Sequence, residues 1–432
     1  MGVMDNIIEI QSEKTIPVGY KHTELGMIPE DWDVSPLAKH TLFVGSGKTN
    51  TKSKGSFPLF GSTGQIGSCL NPEYDGDAIL IARVGANAGK LSFVSGQYGV
   101  SDNTIIVKLK PQNNIHFFKY WLTYQNLNSL VFGSGQPLIT GTQLKELLLP
   151  APYINEQTAI ANVLSDTDVL ITELEKLIAK KQAIKTATMQ QLLTGRTRLP
   201  QFAKHPDGTT KGYKTSEVGQ IPEDWNTESI YELADKQKAK FDDGDWIESE
   251  HITDKGIRLI QTGNIGVGQF LDKESKKYIS ETSFEQLRCK EIQVGDLLIC
   301  RLAEPAGRAC IFPDISESKV ITSVDVTIFR PDNNRANRQF LSQYFSSSEW
   351  FKNVHEQVGG TTHKRISRGA LGKIIVPYPT VKEQTAIATI LSDMDAEFTA
   401  LERKLAKIRD IKQGMMQQLL TGRIRLPLEQ QP

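Results

Sequence analysis

Glu156-Gln-Thr-Ala-Ile-Ala-Asn-Val-Leu-Ser-Asp166 opens a stretch that the chain repeats, nearly unchanged, as Glu383-Gln-Thr-Ala-Ile-Ala-Thr-Ile-Leu-Ser-Asp393. The similarity continues to Pro200 and Pro427, and 28 of the 45 aligned positions are identical. Self-similarity over this length indicates an internal duplication. The repeated stretch decides the architecture, because whatever it forms is present twice in one chain.

Apolar residues recur in this stretch at alternating steps of four and three residues, the period of a coiled-coil helix. The apolar side chains of this seam are Ile160, Leu164, Ile171, Leu174 and Ile178 in the first copy, and Ile387, Leu391, Met394, Phe398, Leu401, Leu405 and Ile408 in the second. Gly195 and Gly422 predict the helix ends. We expect two helices of about 35 residues, each about 50 Å long. Pairing within one chain is favoured entropically over pairing between chains, although a coil that joins two chains is the alternative.

A second repeated marker precedes each helix. Gly19-Tyr-Lys-His-Thr-Glu-Leu-Gly-Met-Ile-Pro-Glu-Asp-Trp32 recurs as Gly212-Tyr-Lys-Thr-Ser-Glu-Val-Gly-Gln-Ile-Pro-Glu-Asp-Trp225. The order of marker, variable region and helix block therefore occurs twice. We predict a first globular domain in residues 1–155, a first helix block in 156–200, a linker in 201–211, a second globular domain in 212–382 and a second helix block in 383–427.

The variable regions consist of short β-branched and aromatic runs interrupted by Gly, Asn and Asp, a pattern typical of strands and turns. We expect each region to form a small α/β or α+β domain with a twisted sheet. The two regions are distantly alike, since Gly76-Asp77 followed by Arg83, Gly89 and Lys90 parallels Gly295-Asp296 followed by Arg301, Gly307 and Arg308. One ancestral domain has therefore been duplicated, which predicts a pseudo-twofold repeat of two globular domains and two helices.

The composition is that of a globular protein of two or three domains. The chain has 432 residues, of which 39% are hydrophobic and 23% charged, and its mean hydropathy is −0.32. No run of about 18 apolar residues predicts a membrane span, and the N-terminus lacks the pattern of a secretory signal. The four cysteines are too few for a disulfide framework. We therefore expect a cytoplasmic protein.

The formal net charge of zero, from 50 basic and 50 acidic residues, is unusual for a nucleic-acid-binding protein. The balance is not local, however. Residues 33–155 carry ten basic and six acidic side chains. In residues 226–382 an acidic stretch at 242–250 offsets a basic one at 359–368. A neutral total therefore does not exclude a basic surface on one domain.

Motifs that resemble catalytic sites lack their context. Gly45-Ser-Gly-Lys-Thr49 has the end of a phosphate-binding P-loop, but the first glycine of that motif would fall at Leu42. The seven histidines show no metal-ligand spacing, and nothing assembles a nucleophile, a base and an orienting group. We predict a non-enzymatic chain without metal or cofactor; an enzyme that uses the Gly45–Thr49 loop is an alternative.

Two similar domains held apart by long helices would contact two separate stretches of a linear partner, and double-stranded DNA is such a partner. Arg and Lys contact phosphates and guanine, while Asn and Gln read adenine. The predicted DNA-binding residues of the first domain are Lys48, Gln65, Arg83, Asn87, Lys90, Asn103 and Gln136. Those of the second domain are Gln261, Asn264, Arg301, Arg308, Thr361, Thr362, Lys364, Arg365 and Arg368. The sequence predicts that Arg83→Ala or Arg301→Ala weakens DNA binding.

Three features of the chain are informative together. They are the two Ile-Pro-Glu-Asp-Trp markers, the run Tyr74-Asp-Gly-Asp-Ala-Ile-Leu-Ile-Ala-Arg-Val-Gly-Ala-Asn-Ala-Gly-Lys90 and the Glu-Gln-Thr-Ala-Ile-Ala helix entries. In combination they resemble the specificity (S) subunit of type I restriction-modification systems. The resemblance covers nearly the whole chain. It implies two target-recognition domains, at about 33–150 and 226–377, that each bind one half of a split DNA target. It also implies antiparallel spacer helices at 156–193 and 383–420.

The resemblance further implies partners. Two adenine methyltransferase subunits would dock on the helices, and a restriction subunit would join them to give the nuclease. The recognition domains of this family vary in sequence, so the resemblance transfers no base contact position by position. A protein-binding scaffold without base readout is the alternative function.

Overall fold

The computed structural model describes residues 16–50, 55–131, 138–359 and 364–427. These residues divide into two compact units, neither of which follows the linear order of the predicted domains. The first unit comprises the chain up to Lys176 together with the chain from Glu402 onward, and the second comprises Leu177–Leu401. Both boundaries fall inside the repeated helices, so each helix contributes one part to each unit.

The first unit is built from short strands and short helices that precede one long helix. The strands are β1 Tyr20–Thr23, β2 Gly26–Pro29, β3 Asp33–Pro36, β4 Thr41–Ser46, β5 Phe57–Gly61, β6 Gly64–Cys69, β7 Tyr74–Asp75, β8 Ala78–Ala82, β9 Leu91–Val94, β10 Gln97–Val100, β11 Thr104–Leu109 and β12 Leu148–Ala151. The helices are α1 Leu37–His40, α2 Ile115–Tyr124, α3 Gly141–Glu146 and α4 Ile154–Leu192. Strands β4-β11-β8-β9 form an antiparallel sheet, and β6-β5-β10-β7 form a second sheet in which β5 and β10 are parallel.

The second unit repeats this plan. Its strands are β13 Tyr213–Ser216, β14 Gly219–Pro222, β15 Asn226–Ser229, β16 Phe241–Asp243, β17 Ile252–Thr253, β18 Ile257–Ile260, β19 Lys277–Ile279, β20 Leu297–Cys300, β21 Ala309–Ile311, β22 Val320–Thr322, β23 Val326–Phe329 and β24 Ile375–Tyr378. Its helices are α5 Ile230–Leu233, α6 Glu281–Leu287, α7 Arg338–Tyr344, α8 Ser348–Gln357, α9 Arg368–Lys373 and α10 Val381–Leu419. Sheet β16-β23-β20-β21 corresponds to β4-β11-β8-β9, and β17-β19-β18-β22 again contains one parallel pair, β18 and β22.

The matching sheets confirm the duplication and refine the predicted fold class. Each unit contains two four-stranded sheets rather than one, and most strand pairs are antiparallel. An antiparallel arrangement with helices beside the sheets is an α+β fold. Residues of β8 and β20 are buried on both faces, which explains why their sequences read as continuous apolar runs.

The two long helices have 39 residues each, and every residue of the predicted seam in them is buried or partly buried. In the first unit, Asp168 of α4 forms an ion pair with Lys412 of α10. In the second unit, the equivalent residues of the other copy, Lys185 and Asp395, form the same pair. Such pairing requires the two helices to run antiparallel. Ile160 and Leu164 also pack into the core of the first unit, so the seam is not restricted to helix–helix contacts.

The end of the second repeat closes onto the entry marker of the first. Arg425 forms ion pairs with Glu156 and with Asp31, the latter at 2.8 Å, and its guanidinium lies 5.9 Å from the centre of the Trp32 ring. The indole N–H of Trp32 donates to Glu156 at 3.0 Å. Gly422, with φ near +71°, allows this approach, since a Cβ there would lie 2.3 Å from a ring carbon of Pro29.

The end of the first repeat closes onto the entry marker of the second in the same way. Arg198 contacts Glu383 at 2.7 Å and Asp224 at 2.8 Å, and its guanidinium lies 5.9 Å from the Trp225 ring. Each unit is thus completed by a helix end from the other copy of the repeat. This explains why the marker and the helix block stayed similar in sequence while the variable regions diverged.

The Asp224 contacts make stability depend on pH. Partial burial acts to raise the pKa of Asp224, but hydrogen bonds from Arg198 and Lys211 outweigh it and lower the pKa to about 2. A carboxylate whose pKa is lower in the folded state stabilises the protein above its unfolded pKa, near 4, and loses this contribution as the pH falls towards 2. We expect the stability difference between wild type and Asp224→Asn to shrink over this range in denaturant titrations. A difference that is constant between pH 6 and pH 2.5 would contradict this assignment.

Candidate nucleic-acid interface

A turn after the central strand β8 places Arg83 at one end of the first unit's antiparallel sheet. The backbone N–H of Arg83 donates to the carbonyl of Asn103, and its carbonyl accepts from the N–H of Ile139, both at 3.0 Å. Ser46, at the end of β4, lies at the same end of the sheet. The strand order therefore brings together residues 46, 83 and 103, which are far apart in the sequence.

The Arg83 guanidinium is partly exposed and donates to the Ser46 hydroxyl at 3.1 Å and to the Asp102 carbonyl at 3.4 Å. Within the described residues it forms no ion pair with a carboxylate. Two lysines are exposed nearby in the sequence: Lys90 ends the turn after β8, and Lys48 follows Ser46 by two residues. The end of the first sheet thus presents positive charge that the described chain leaves unneutralised, as phosphate contact requires.

Arg301 occupies the equivalent position after β20. Its N–H donates to the Asp325 carbonyl at 2.8 Å, and its carbonyl accepts from the Ile366 N–H at 3.0 Å. Arg83, Asn103 and Ile139 therefore correspond in the fold to Arg301, Asp325 and Ile366.

The Arg301 side chain has a different environment from that of Arg83, since only 1% of the residue is exposed. Its guanidinium donates to the Val324 carbonyl at 2.6 Å and the Ile366 carbonyl at 3.2 Å, and lies 3.1 Å from the Asp243 carboxylate. Burial lowers the pKa of Arg301, although Asp243 acts in the opposite direction. The sequence predicts a surface contact at Arg301, whereas the structure buries this side chain at the sheet end against Val324, Ile366 and Asp243.

Asp242 of the acidic stretch and Arg365 and Arg368 of the basic stretch lie at this sheet end. Arg365 lies 3.4 Å from Asp325, Arg368 forms an ion pair with Asp242, and Lys290 lies 3.2 Å from Asp242. Arg365 is nevertheless about half exposed. Ion pairs at this sheet end therefore account for part of the charge cancellation in the sequence of the second domain.

Arg308 and Asn264 also have internal partners. The Arg308 guanidinium donates to four backbone carbonyls, and so joins the turn after β20 to residues 262–265. Asn264 is 5% exposed, accepts from the Gln261 N–H and donates to the Leu271 carbonyl. Asn264 therefore cannot read a base in this conformation, and Arg308 has most of its donors occupied.

The remaining predicted residues differ in exposure. Exposed residues in the structure are Lys48, Gln65, Lys90, Asn103, Lys364 and Arg365, and partly exposed residues are Arg83, Asn87, Gln261, Arg308 and Arg368. Gln65 lies on β6, in the other sheet of the first unit. Gln136, Thr361 and Thr362 lie outside the described residues. DNA contact by the exposed residues stays a prediction.

A cleft lies beside the arginine turn in each unit. In the first unit it has a volume of about 460 Å³ and is lined by Asn87, Lys90 and Asn128 among others. In the second unit it has about 580 Å³ and is more apolar, with Phe351, His355 and Lys364 in its wall. The two clefts occupy corresponding places but present different side chains, so the units offer different chemistry on one scaffold.

Thr49, at the end of the Gly45–Thr49 loop, forms its hydrogen bonds within the first unit. The Thr49 hydroxyl donates to Glu73 at 3.1 Å and accepts from the Val100 N–H at 2.9 Å. In the described parts of the chain, no cluster of His, Cys, Asp and Glu could hold a metal ion. No helix there is long and apolar enough to cross a membrane.

Sequence reasoning missed the partners of the arginines. Sequence patterns do not single out Asp243 and Asp325 as ion-pair partners, although each lies at a strand end opposite an arginine in the fold. Arg198 and Arg425 were likewise part of a recognised repeat without a predicted role. The sequence signal for Arg198 and Arg425 is that they occupy matching places in the two helix blocks, as the Glu-Asp pair does in the two entry markers.

Comparison with known proteins supports the duplicated architecture. The chain is 26% identical over 422 residues to the type I restriction enzyme MjaVIII specificity subunit of Methanocaldococcus jannaschii, covering 92% of this chain and 94% of that one. It is 27% identical to the putative type I restriction enzyme MjaX specificity subunit of the same organism, covering 94% and 97%. The crystal structure of the type I restriction-modification S subunit from M. genitalium has the same fold, with a TM-score of 0.58 and 17% identity over 90% of this chain and 96% of that chain.

The family described as "Type I restriction modification DNA specificity domain" matches this chain twice, at residues 30–186 and 222–410. Each match spans one variable region and most of the long helix that follows it. These matches cover most of the chain, and their two-part layout agrees with the duplicated fold. The chain therefore belongs to the type I restriction modification DNA specificity domain family.

Proposed function

We propose that this chain is the non-catalytic specificity subunit of a type I restriction-modification complex. Each unit binds one half of a split DNA target, and the pair of helices sets the distance between the halves. The recognition domains comprise about residues 33–150 and 226–377, and the spacer helices residues 156–193 and 383–420. The complex acts on DNA in the cytoplasm.

The observation that supports this proposal most directly is that the two units share a backbone framework but expose different side chains. The backbone contacts around Arg83 recur around Arg301, yet the exposed groups near them differ between the units. Equivalent scaffolds with different surfaces suit two recognition sites that read different short sequences. Unneutralised charge near Arg83 supports a phosphate contact, which positions a domain on the duplex without reading its sequence.

Methyltransferase subunits, and a restriction subunit, are the proposed partners. Val169 and Leu170 are adjacent and exposed on α4, with 59% and 45% of their surfaces accessible, and Ile411 is 46% exposed on α10. Exposed apolar side chains on these helices, outside the seam, are suited to a protein partner. We propose that two methyltransferase subunits dock on the helices and modify an adenine, which must leave the base stack to react.

Mapping methylated adenines in the host genome, with the gene present and deleted, tests this function directly. We expect a two-part motif with a fixed spacer that vanishes on deletion. The full chain, assembled with its methyltransferase, should then bind that motif with strong salt dependence. Unchanged methylation in the deletion strain, together with no DNA binding by the assembled complex, would favour the protein-scaffold alternative.

The spacer is expected to follow helix length. Four residues inserted within the central part of α4 lengthen it by about 6 Å, about two base pairs at 3.4 Å each. We expect the insertion to alter the spacer in the methylation motif while both half-site sequences stay the same. Methylation sequencing gives both readouts at once, and a changed half-site sequence would contradict the role of the helices as a ruler.

A further inference from the structure

Equivalent positions around the two arginine turns differ in charge in a coordinated way. Ser46 and Asn103 in the first unit correspond to Asp243 and Asp325 in the second, by strand register and backbone hydrogen bonds. The isolated bridges Val84–Leu138 and Leu302–Arg365 correspond in the same way. The second unit therefore has carboxylates and an arginine at positions where the first unit has neutral residues.

The Asp325 carboxylate is placed to act on exposed Arg365. One Asp325 oxygen lies 3.4 Å from Arg365 and 3.7 Å from Arg301, and it makes no hydrogen bond among the described residues. The contact is thus Coulombic. A guanidinium has five N–H donors. Arg365 therefore keeps N–H donors for a ligand, although the Asp325 carboxylate beside it offsets its positive charge.

We propose that Asp325 is a specificity-determining residue of the second unit, because it suppresses non-specific phosphate binding by Arg365 while leaving its donors for a base edge. The inference rests on the proposed function of this chain as a DNA-specificity subunit. Attraction to phosphate depends on net charge, whereas a guanine edge is uncharged and is recognised through paired N–H donors. A neighbouring carboxylate therefore weakens the first interaction more than the second. Arg83, without such a carboxylate among the described residues, binds phosphate freely.

The test is Asp325→Asn in the full chain assembled with its methyltransferase. Asparagine occupies the equivalent position 103, so the local backbone accepts it. We expect affinity for non-target duplex to rise about fivefold in about 0.15 M salt, the effect of one additional phosphate contact, and the slope of log affinity against log salt to steepen by about 1. Affinity for the mapped target should change less, so the ratio of target to non-target affinity falls.

Two matched variants complete the experiment. Glu274→Gln removes the same charge from an exposed side chain and should leave the affinity ratio unchanged, while Asn103→Asp should weaken non-target binding about fivefold. Equal non-target affinity and salt slope in wild type and Asp325→Asn, or equal effects of Asp325→Asn and Glu274→Gln, would overturn the inference. If the wild-type complex does not distinguish its target from other DNA, the proposed function fails independently of these variants.

Discussion

Arg198→Ala is expected to lower the free energy of unfolding by about 3–5 kcal/mol, since it leaves one half of a buried ion pair without its partner. The side chains of Arg198 and Glu383 are 7% and 2% exposed and are joined at 2.7 Å. Among the described residues, the side-chain donor to Glu383 is Arg198. The Trp225 indole N–H has no hydrogen-bond partner there, unlike the equivalent Trp32, which donates to Glu156. The loss is measurable by urea unfolding followed by circular dichroism.

The equivalent variant in the other copy, Arg425→Ala, provides the matched comparison. Arg425 is 37% exposed, and its partner Glu156 keeps a hydrogen bond from Trp32 after the substitution. We expect a smaller loss, about 1.5–3 kcal/mol, the range for a hydrogen bond to a charged group. A loss at Arg425 equal to or greater than that at Arg198 would contradict the argument from burial.

A double variant separates the ion pair from general packing. Arg198→Met combined with Glu383→Leu replaces both charges with apolar groups, and such replacements of buried pairs are often neutral or stabilising. We expect the double variant to recover most of the stability lost in Arg198→Ala. A double variant less stable than Arg198→Ala would contradict the assignment of the loss to an unpaired buried charge.

The long helices were predictable because their signal is local. Two helices with a period of 3.5 residues and a glycine stop are specified by side chains one turn apart, and both helices end at the predicted place, before Gly195 and Gly422. The duplication was predictable for the same reason. Two copies with similar sequences adopt the same fold, so the repeat can be predicted even where the fold of each copy cannot.

The sheet topology and the environment of each arginine were not predictable in this way. Arg83 and Arg301 match in sequence context, but their exposure depends on residues that approach through strand pairing. These are residues 46 and 103 around Arg83, and residues 243 and 325 around Arg301. Such contacts depend on register and strand order, which single-sequence periodicity does not encode. The same holds for Asn264, whose side chain caps a short turn instead of facing a groove.

Arg301→Ala and Arg83→Ala are expected to impair different properties, stability and DNA binding respectively, although the sequence alone predicts weaker DNA binding for both. Arg301 is buried against two carboxylates and two carbonyls, so its truncation should cost about 3 kcal/mol or more of stability in the second unit. Arg83 is partly exposed and has only neutral partners among the described residues. Its truncation should cost less than about 1 kcal/mol and weaken DNA binding about fivefold near 0.15 M salt.

Thermal unfolding and DNA titration of both variants, in the assembled complex, distinguish the two roles. A structural role for Arg301 requires a lower melting temperature, with any loss of DNA binding following from the second half-site alone. A contact role for Arg83 requires an unchanged melting temperature and a shallower salt dependence, since one phosphate contact is removed. Weaker DNA binding by a fully stable Arg301→Ala would return Arg301 to the interface, and unchanged affinity in Arg83→Ala would remove Arg83 from it. If both results are obtained, duplication has preserved an arginine at equivalent positions while burial has changed its role.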